Sequence, residues 1–199
     1  MDIAAQNWTR RGIAVVLLLL AFLLVGCQPK VYLMPTPVAF SFREIDPFAV
    51  TPSGEKGTSL PVLYATNRAP LGFKDAPVYS IFASDEVRAG VTTLRIGDDS
   101  LDWAGLRGLS QRSEKEKRPL LVPESVQELA ALDYDIAEAA LSPEARAYFD
   151  QINKALATSA DKDLMVYVHG ANANVYRATA QAAQYRHFTG RDSVVLALA

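Results

Sequence analysis

The residues whose types and spacing best suit chemistry form one run: His169, Gly170, Ala171 and Asn172. They follow an unbroken apolar run over 164–168, which is typical of a strand covered on both faces, as in a parallel sheet. A glycine at the end of such a strand permits a sharp turn with positive φ. An Ala-rich helix is predicted directly afterwards, and its first N–H groups lack intrahelical partners and attract negative charge. The turn is therefore suited to stabilising an oxyanion in acyl transfer.

Composition and charge exclude several other kinds of site. The 199 residues include two His and one Cys, too few for a Cys/His zinc cluster. The formal net charge of -2 argues against a protein that works mainly by binding nucleic acid, because phosphate contacts need a basic face. The sequence contains neither the Gly-x-x-x-x-Gly-Lys-Ser/Thr motif of nucleotide-binding loops nor the Gly-x-Gly-x-x-Gly motif of dinucleotide binding. We therefore expect no metal, no cofactor and no nucleic-acid partner.

One acidic cluster is compatible with calcium, but its spacing is wrong for that ion. Asp98, Asp99 and Asp102 lack the spacing and the terminal Glu of an EF-hand loop. We interpret them as a solvated turn.

The start of the chain has the pattern of an export signal. Arg10 and Arg11 precede an apolar run over 13–25. The run is shorter than the roughly 18 residues of a spanning helix, which favours a cleaved signal peptide. An uncleaved, tilted membrane anchor is the alternative. Residues 24–27, Leu-Val-Gly-Cys, resemble the bacterial lipobox, in which cleavage before the cysteine leaves it as a lipidated N-terminus.

The lipobox resemblance implies that Cys27, the single cysteine, attaches the protein to a lipid bilayer of the bacterial cell envelope. Gln28 follows it, where inner-membrane lipoproteins of Gram-negative bacteria usually have Asp, so the outer membrane is favoured if the source is Gram-negative. An exported soluble protein without lipid is the remaining alternative.

The elements that must position the turn are predicted from hydrophobic periodicity and capping residues. Strands are predicted at 62–66, 89–96, 164–168 and 193–199. Helices are predicted at 125–140, 143–159 and 175–188, the first because Ser125 and Glu128 form a capping-box pattern. Residues 164–199 then form a βαβ unit with parallel strands.

Two motifs together resemble a bacterial α/β-hydrolase family of uncharacterised function. Residues 64–68 read Tyr-Ala-Thr-Asn-Arg, and residues 167–170 read Tyr-Val-His-Gly before the Ala-rich helix. The resemblance covers 61–199 and implies a partial α/β-hydrolase fold, a mostly parallel sheet with flanking helices, incomplete at its C-terminus. The predicted organisation is a lipoprotein signal peptide at 1–26, a lipid-anchored, Pro-rich tether at 27–60 and the N-terminal part of the hydrolase domain at 61–199.

The same resemblance gives roles to the residues of the turn. The backbone of Gly170 and Ala171 becomes the candidate oxyanion hole, with the Ala171 N–H as its first donor. His169 and Asn172 become candidates for bracing the loop, and His169 is not expected to act as a base.

The remaining catalytic groups are not identifiable in this chain. A hydrolase of this type needs a nucleophile in a Gly-x-Ser-x-Gly turn, followed by an acid and a His in that order. Ser59 and Ser110 each have a glycine two residues before them and none two residues after. His187 precedes any possible nucleophile and is predicted to be a partly exposed helix residue. We therefore expect no catalytic residue in this chain, and a domain truncated before its nucleophile.

Two functions follow as expectations. The first is a membrane-anchored lipoprotein that carries a truncated, inactive hydrolase domain, whose full-length relatives are serine hydrolases of small esters or amides. The second is a non-enzymatic envelope lipoprotein that acts as a binding or structural module. The last strand, at 193–199, is expected to have an exposed edge that invites pairing with another chain, so a fold completed by dimerisation is a third possibility.

Overall fold

The computed structural model describes residues 30–42, 46–72, 77–112, 117–135, 140–170 and 173–199. They form a mixed sheet of six strands, most of them antiparallel, together with three α-helices. The prediction of a mostly parallel, partial α/β-hydrolase sheet with flanking helices is therefore wrong. The reason is that the longest strand, β3 at Tyr79–Ile96, pairs antiparallel with both of its neighbours. It pairs with β2, Ser59–Pro70, through a short connection and with β4, Leu120–Asp133, through a connection that contains a helix.

The strands run in the order β1-β4-β3-β2-β6-β5 across the sheet. Their bounds are β1 Val31–Tyr32, β2 Ser59–Pro70, β3 Tyr79–Ile96, β4 Leu120–Asp133, β5 Leu164–Val168 and β6 Val194–Leu198. The helices are α1 Trp103–Gln111, α2 Pro143–Thr158 and α3 Val175–Phe188. Short 3-10 helices occupy Val38–Phe42 and Ser53–Glu55.

The predicted helix over 125–140 is a strand in its first part. Ser125 pairs with Thr93 in an antiparallel ladder between β3 and β4, and the Glu128 carboxylate accepts hydrogen bonds from two side chains of β3 instead of capping a helix. The capping pattern failed because the long strand β3 requires a partner, and pairing along its length outweighs a local helix signal. Pro123 lies where the register shifts, a place at which a sheet tolerates proline.

Helices α2 and α3 begin and end where the sequence predicted. The Ser142 hydroxyl accepts a hydrogen bond from the Ala145 N–H at 3.1 Å, with Pro143 in the first helical position. Asn174 caps α3 by accepting from the Arg177 N–H at 2.8 Å. Gly190 follows α3 with a φ of 91°, which is the left-handed conformation that favours glycine at a helix end.

The acidic cluster at 98–102 has structural partners. The carboxylate of Asp98 accepts from Ser100, and that of Asp99 pairs with Arg95. Asp102 caps α1 by accepting from the Gly105 N–H at 2.7 Å. The sequence missed α1 itself, because that segment has little apolar periodicity.

The two faces of the sheet carry different helices. Helix α2 packs on one face through Ala145, Tyr148 and Ile152. Helix α3 packs on the other face, in the larger of the two apolar clusters. Because side chains alternate along a strand, neighbouring residues of β2 serve opposite clusters: Leu63 faces α2, while Val62 and Tyr64 face α3.

The predicted βαβ unit at the end of the chain is confirmed. Strands β5 and β6 are parallel, in register from Leu164 opposite Val194 to Val168 opposite Leu198. The expectation that the last strand has an exposed edge is wrong, because β6 lies inside the sheet between β2 and β5. The exposed edge belongs to β5.

Candidate functional site

The turn after β5 lies at the carboxyl end of the parallel strand pair. His169 is half-buried, and its Nδ1 is hydrogen-bonded to the Gly170 carbonyl. Gly170 is exposed, and α3 begins five residues later. The structure thus brings a strand end and a helix N-terminus together at this point.

Arg68, the last residue of the Tyr-Ala-Thr-Asn-Arg motif, connects β2 to this turn. Its Nη2 donates to the Ala173 carbonyl at 2.7 Å, directly before the cap of α3. Its Nη1 donates to the Ser80 carbonyl of β3 at 3.3 Å. The guanidinium therefore holds Ala173, the residue before the cap of α3, against the antiparallel part of the sheet.

Gly170 does not adopt the expected conformation. Its φ lies outside the left-handed region, and a Cβ built on it meets no atom within 4 Å. The turn therefore does not use the positive φ that glycine permits, and the exposed backbone at Gly170 has room for a side chain.

The predicted signal peptide at 1–26 lies outside the described residues, and so do three of the predicted site residues. They are Cys27, Ala171 and Asn172. Their predicted roles in lipidation, in the oxyanion hole and in bracing the loop stay predictions.

A serine and a histidine that the sequence did not connect form a buried pair. Ser110, in α1, lies with its Oγ 2.7 Å from Nε2 of His187, near the end of α3. Both residues are 0% exposed. The prediction of a partly exposed His187 is wrong, because residues 46–57 cover this end of α3 and Phe48 stacks on the ring with centroids 4.9 Å apart.

The pair resembles a nucleophile and its general base, but its protons run in the opposite direction. Arg191 donates to Nδ1 of His187 from Nε at 3.1 Å and from Nη2 at 2.8 Å. A guanidinium only donates, so Nδ1 is the acceptor and the ring proton lies on Nε2. Nε2 therefore donates to Ser110 Oγ, and the hydroxyl proton of Ser110 points to the Leu106 carbonyl at 2.8 Å. A general base needs an Nε2 that accepts the serine proton.

Burial and charge keep this histidine neutral. Burial, and secondly the Arg191 guanidinium, hold the pKa of His187 well below its ordinary value. Burial also lowers the pKa of Arg191 to about 9, with the nearby Arg186 acting in the same direction. The cluster is consequently a structural contact between α1 and α3 that solvent does not reach.

Arg191 extends the cluster to the segment before β2. Its Nη1 donates to the carbonyls of Glu55 at 2.8 Å and Gly57 at 2.6 Å, and its guanidinium carbon lies 4.5 Å from the centre of the Trp103 ring. Arg186 forms an ion pair with the Glu55 carboxylate at 3.1 Å. The two arginines therefore bind residues 55–57 to the end of α3.

A second buried polar group lies within the antiparallel strands. The hydroxyls of Tyr64 and Tyr79 are 2.7 Å apart, and Tyr79 donates to Glu128 Oε2 at 2.9 Å. Arg88 donates to the other oxygen of Glu128 at 3.0 Å. Burial raises the pKa of Tyr64 to about 12 and raises that of Tyr79 as well. Both phenols stay protonated near neutral pH, so neither serves as a base there.

Within the described ranges, no three His, Cys, Asp or Glu side chains lie close enough together to hold a metal ion. In that same part of the chain, no helix has the length and apolar character needed to cross a membrane.

Comparisons of the chain with protein-family models, with characterised proteins and with solved structures found no match.

The sequence did not predict the residues of the buried Ser110–His187 contact. Ser110 and His187 are 77 positions apart, and no spacing pattern connects them. His187 and Arg191 are four positions apart, but α3 ends at Phe188 and Arg191 has a left-handed backbone with a φ of 65°, so helical spacing does not account for their contact. The motif containing Arg68 was recognised, but only the structure shows what its arginine holds.

Proposed function

We propose that this chain is a bacterial envelope lipoprotein, attached to the membrane through Cys27. Its folded domain carries a strand–turn–helix–strand crossover related to that of serine hydrolases, and the domain has no hydrolase activity of its own. The observation that carries the proposal is the parallel crossover β5–α3–β6, in which α3 follows the carboxyl end of β5.

The connection made by Arg68 supports the hydrolase relationship. The two motifs that resemble the hydrolase family are far apart in sequence, and the Arg68 guanidinium of the first motif donates to the Ala173 carbonyl, three residues after the second motif. A hydrolase needs this turn in a fixed position, because oxyanion donors act only when they are held at the place where charge develops.

The edge of the sheet supports the same relationship. Val166 and Val168 of β5 are exposed, although apolar side chains in a strand of this type usually pack under a neighbour. In the hydrolase family the corresponding strand has further strands beside it. A free apolar edge strand is also a site for pairing with another chain.

The proton direction in the Ser110–His187 pair supports the absence of activity. Ser110 is fully buried and donates to a carbonyl, so it has neither an activating base nor access to a substrate. No serine of the sequence, Ser110 included, stands in a Gly-x-Ser-x-Gly turn. The nucleophile, acid and histidine of an active relative must therefore come from other residues.

The membrane attachment is tested by mass spectrometry of the chain purified from bacterial membranes. The proposal expects a mature N-terminus at Cys27 that carries a diacylglycerol and an acyl chain. A Cys27→Ser variant should keep its leader and lack the lipid. An unmodified Cys27, or cleavage at another position, contradicts the attachment.

The hydrolase relationship is tested with the coding sequence that follows codon 199. The chain is expressed alone and with any downstream residues in frame, and hydrolysis of a short p-nitrophenyl ester is compared. The proposal expects activity only in an extended chain that contains a Gly-x-Ser-x-Gly turn. Turnover by the 199 residues alone contradicts it.

A second function, a non-enzymatic binding module, is favoured by a cleft between α3 and the sheet. Pro77, Val78 and Tyr79 lie on one side of this cleft, and the first turn of α3 lies on another. A stop directly after codon 199, in a chain that is folded and monomeric, favours this function over the first.

A further inference from the structure

Strand β5 forms one edge of the sheet and has a free backbone side. Among the described residues it pairs with β6 alone, in parallel from Leu164 to Val168. The N–H and C=O groups on the free side of an edge strand have no partner in the ladder, so they are able to pair with another strand. The outer side of β5 is therefore a template for one further strand.

β5 lacks the features that usually protect such an edge. Natural edge strands are very short, carry charges or proline, or are bent by a bulge. The opposite edge of the sheet, β1, has only two residues, whereas β5 has five, none of which is charged or proline. The pairing of β5 with β6 is also regular along its whole length. This edge is consequently suited to pairing and not to staying free.

The two faces of β5 are covered to different degrees. On the face of α3, Met165 and Tyr167 pack against the larger apolar cluster. On the face of α2, Leu164, Val166 and Val168 are 36%, 47% and 68% exposed. The strands of a parallel pair usually have both faces covered, so these three side chains form an apolar row that this chain leaves open. A strand beside β5 would cover the row from the side.

The sequence of β5 is complementary to itself in antiparallel pairing. A two-fold axis at Val166 places Val166 opposite its own copy, Leu164 opposite Val168, and Met165 opposite Tyr167. The members of each pair then lie on the same face, and every pair joins two uncharged, bulky side chains. Only this centre pairs all five residues of the strand with one another.

The residues that flank β5 favour the antiparallel arrangement. The exposed Asp163 precedes the strand and His169 follows it. Antiparallel pairing about Val166 places the Asp163 carboxylate opposite His169 of the second copy, which is a favourable pair when the imidazole is protonated. Parallel pairing in register would place the Asp163 carboxylates of the two copies side by side, and like charges in that position destabilise a sheet.

The same axis is compatible with two copies attached to one bilayer. A two-fold axis that relates antiparallel strands is perpendicular to the sheet, so α3 lies on the same side in both copies. The described chain starts on that side: the Val31 N–H donates to the Tyr176 hydroxyl at 3.3 Å, and the Met34 N–H donates to Gln184 of α3. Both chains therefore enter the paired sheets from one side.

We propose that two copies of this chain pair through β5, antiparallel and centred on Val166, and join their sheets into one. The second copy supplies the missing ladder partner of β5 and covers the apolar row of Leu164, Val166 and Val168. This inference goes beyond the proposed function and does not depend on it, because the strands need neither the lipid nor the hydrolase relationship to pair.

Cysteine cross-linking of the full chain in detergent tests the pairing. In a Val166→Cys variant the two new thiols lie opposite each other, with Cα atoms about 4.5–5.5 Å apart, a separation that a disulfide spans. Mild oxidation should convert most of this variant into a covalent dimer. Mass spectrometry of the cross-linked peptide distinguishes this disulfide from any bond made through Cys27.

Leu164→Cys is the matched control. In the proposed register this position lies four residues from its own copy, about 13 Å along the strand, which is too far for a disulfide. The variant alone should stay monomeric on a denaturing gel, and it should cross-link when it is co-expressed with Val168→Cys. Efficient cross-linking of Leu164→Cys to itself, or no cross-linking of Val166→Cys, overturns the proposal.

A charge at the centre of β5 should separate the two copies. Val166→Lys adds the kind of side chain that protects natural edges, and it should halve the protein mass measured by light scattering while the circular dichroism spectrum is unchanged. Ile81→Lys, which alters a residue of β3 that is 82% exposed, should stay dimeric. A monomeric wild-type chain, a wild-type chain that forms aggregates of no defined mass, or a dimeric Val166→Lys also overturns the proposal.

Discussion

At the scale of single residues, the donors around His187 decide what Ser110 is able to do. Arg191 occupies Nδ1, so the ring presents a proton to Ser110 in place of a lone pair. In a serine hydrolase a carboxylate occupies the equivalent place, accepts from Nδ1 and leaves Nε2 free to accept. The same two side chains at the same distance therefore have opposite chemical meanings, depending on the third partner.

The neutral state of His187 makes the stability of the fold depend on pH. An unfolded histidine takes up a proton near pH 6.5, whereas the buried ring takes it up only at a lower pH. Between these two pKa values the unfolded chain binds more protons, so the free energy of unfolding falls as pH drops, by up to about 1.4 kcal/mol per pH unit. Above the pKa of the unfolded histidine, the ring is neutral in both states, so it adds no further pH dependence to the free energy of unfolding.

Urea denaturation of the full chain at about pH 7.5 and about pH 5.5 measures this dependence. A His187→Gln variant should be less stable at the higher pH and should lose less on acidification than wild type. His169→Gln is the matched control, because His169 is only half-buried, and it should keep the wild-type pH dependence. An identical pH dependence in wild type and His187→Gln would show that the buried ring is not the source.

Arg68 is the residue whose loss should release the turn after β5. An Arg68→Ala variant removes the hydrogen bonds to Ala173 and Ser80 and is expected to lose about 1.5–3 kcal/mol of stability, the range for bonds to a charged group. Hydrogen exchange should become faster at the first amides of α3. Arg107→Ala, which removes a more exposed ion pair with Asp46, should cost no more than about 1 kcal/mol. If hydrogen exchange at these amides is unchanged in Arg68→Ala, the Arg68 guanidinium does not hold the start of α3 in place.

At the scale of elements, the close approach of β2, β3 and β4 depends on a glycine. A Cβ on Gly90 would lie 2.0 Å from the Gln127 carbonyl oxygen and 2.6 Å from the Tyr64 hydroxyl. Gly90 also stands beside a register shift between β3 and β4, where the sheet changes its pairing. Backbone on one side and a buried tyrosine on the other leave no room for a methyl group.

A Gly90→Ala variant is therefore expected to lose about 3 kcal/mol of stability, at the upper end of the cost of overpacking. Gly108→Ala is the control, because Gly108 lies in α1 with open space around it, and alanine there should stabilise the helix by about 0.5–1 kcal/mol. Thermal unfolding of the two variants compares them. A Gly90→Ala protein as stable as wild type would mean that β3 and β4 do not pair in this register.

The elements that the sequence predicted correctly are those with strong local signals. Helices α2 and α3 have capping residues at their first positions, and β5 and β6 are short apolar runs separated by a helix. Strand β4 was predicted as a helix because its residues fit a capping box, and only its pairing with β3 decides otherwise. The turn at the candidate site was located correctly, since it follows from the order of the elements. The Ser110–His187 contact was not, since it depends on tertiary packing.

At the scale of the whole molecule, the segment before β2 belongs to the folded body where the structure describes it. Met34 donates its N–H to Gln184 of α3, and Thr51 donates to the Gly190 carbonyl at 2.8 Å. The two arginines near the end of α3 hold residues 55–57. Residues 30–42 already contact the rest of the folded domain. A lipid on Cys27 would therefore place this domain close to the membrane surface.

If the proposed function is right, no serine of this chain reacts as a nucleophile, and fluorophosphonate labelling of the full chain measures this. The chain is purified from membranes in detergent, labelled before and after heat denaturation, and compared with a Ser110→Ala variant and with an active serine hydrolase. We expect no labelling of the native chain above the denatured control, and no difference in labelling between wild type and Ser110→Ala. Stoichiometric labelling of any serine in the native chain, abolished by denaturation, would show that the chain has a serine nucleophile of its own.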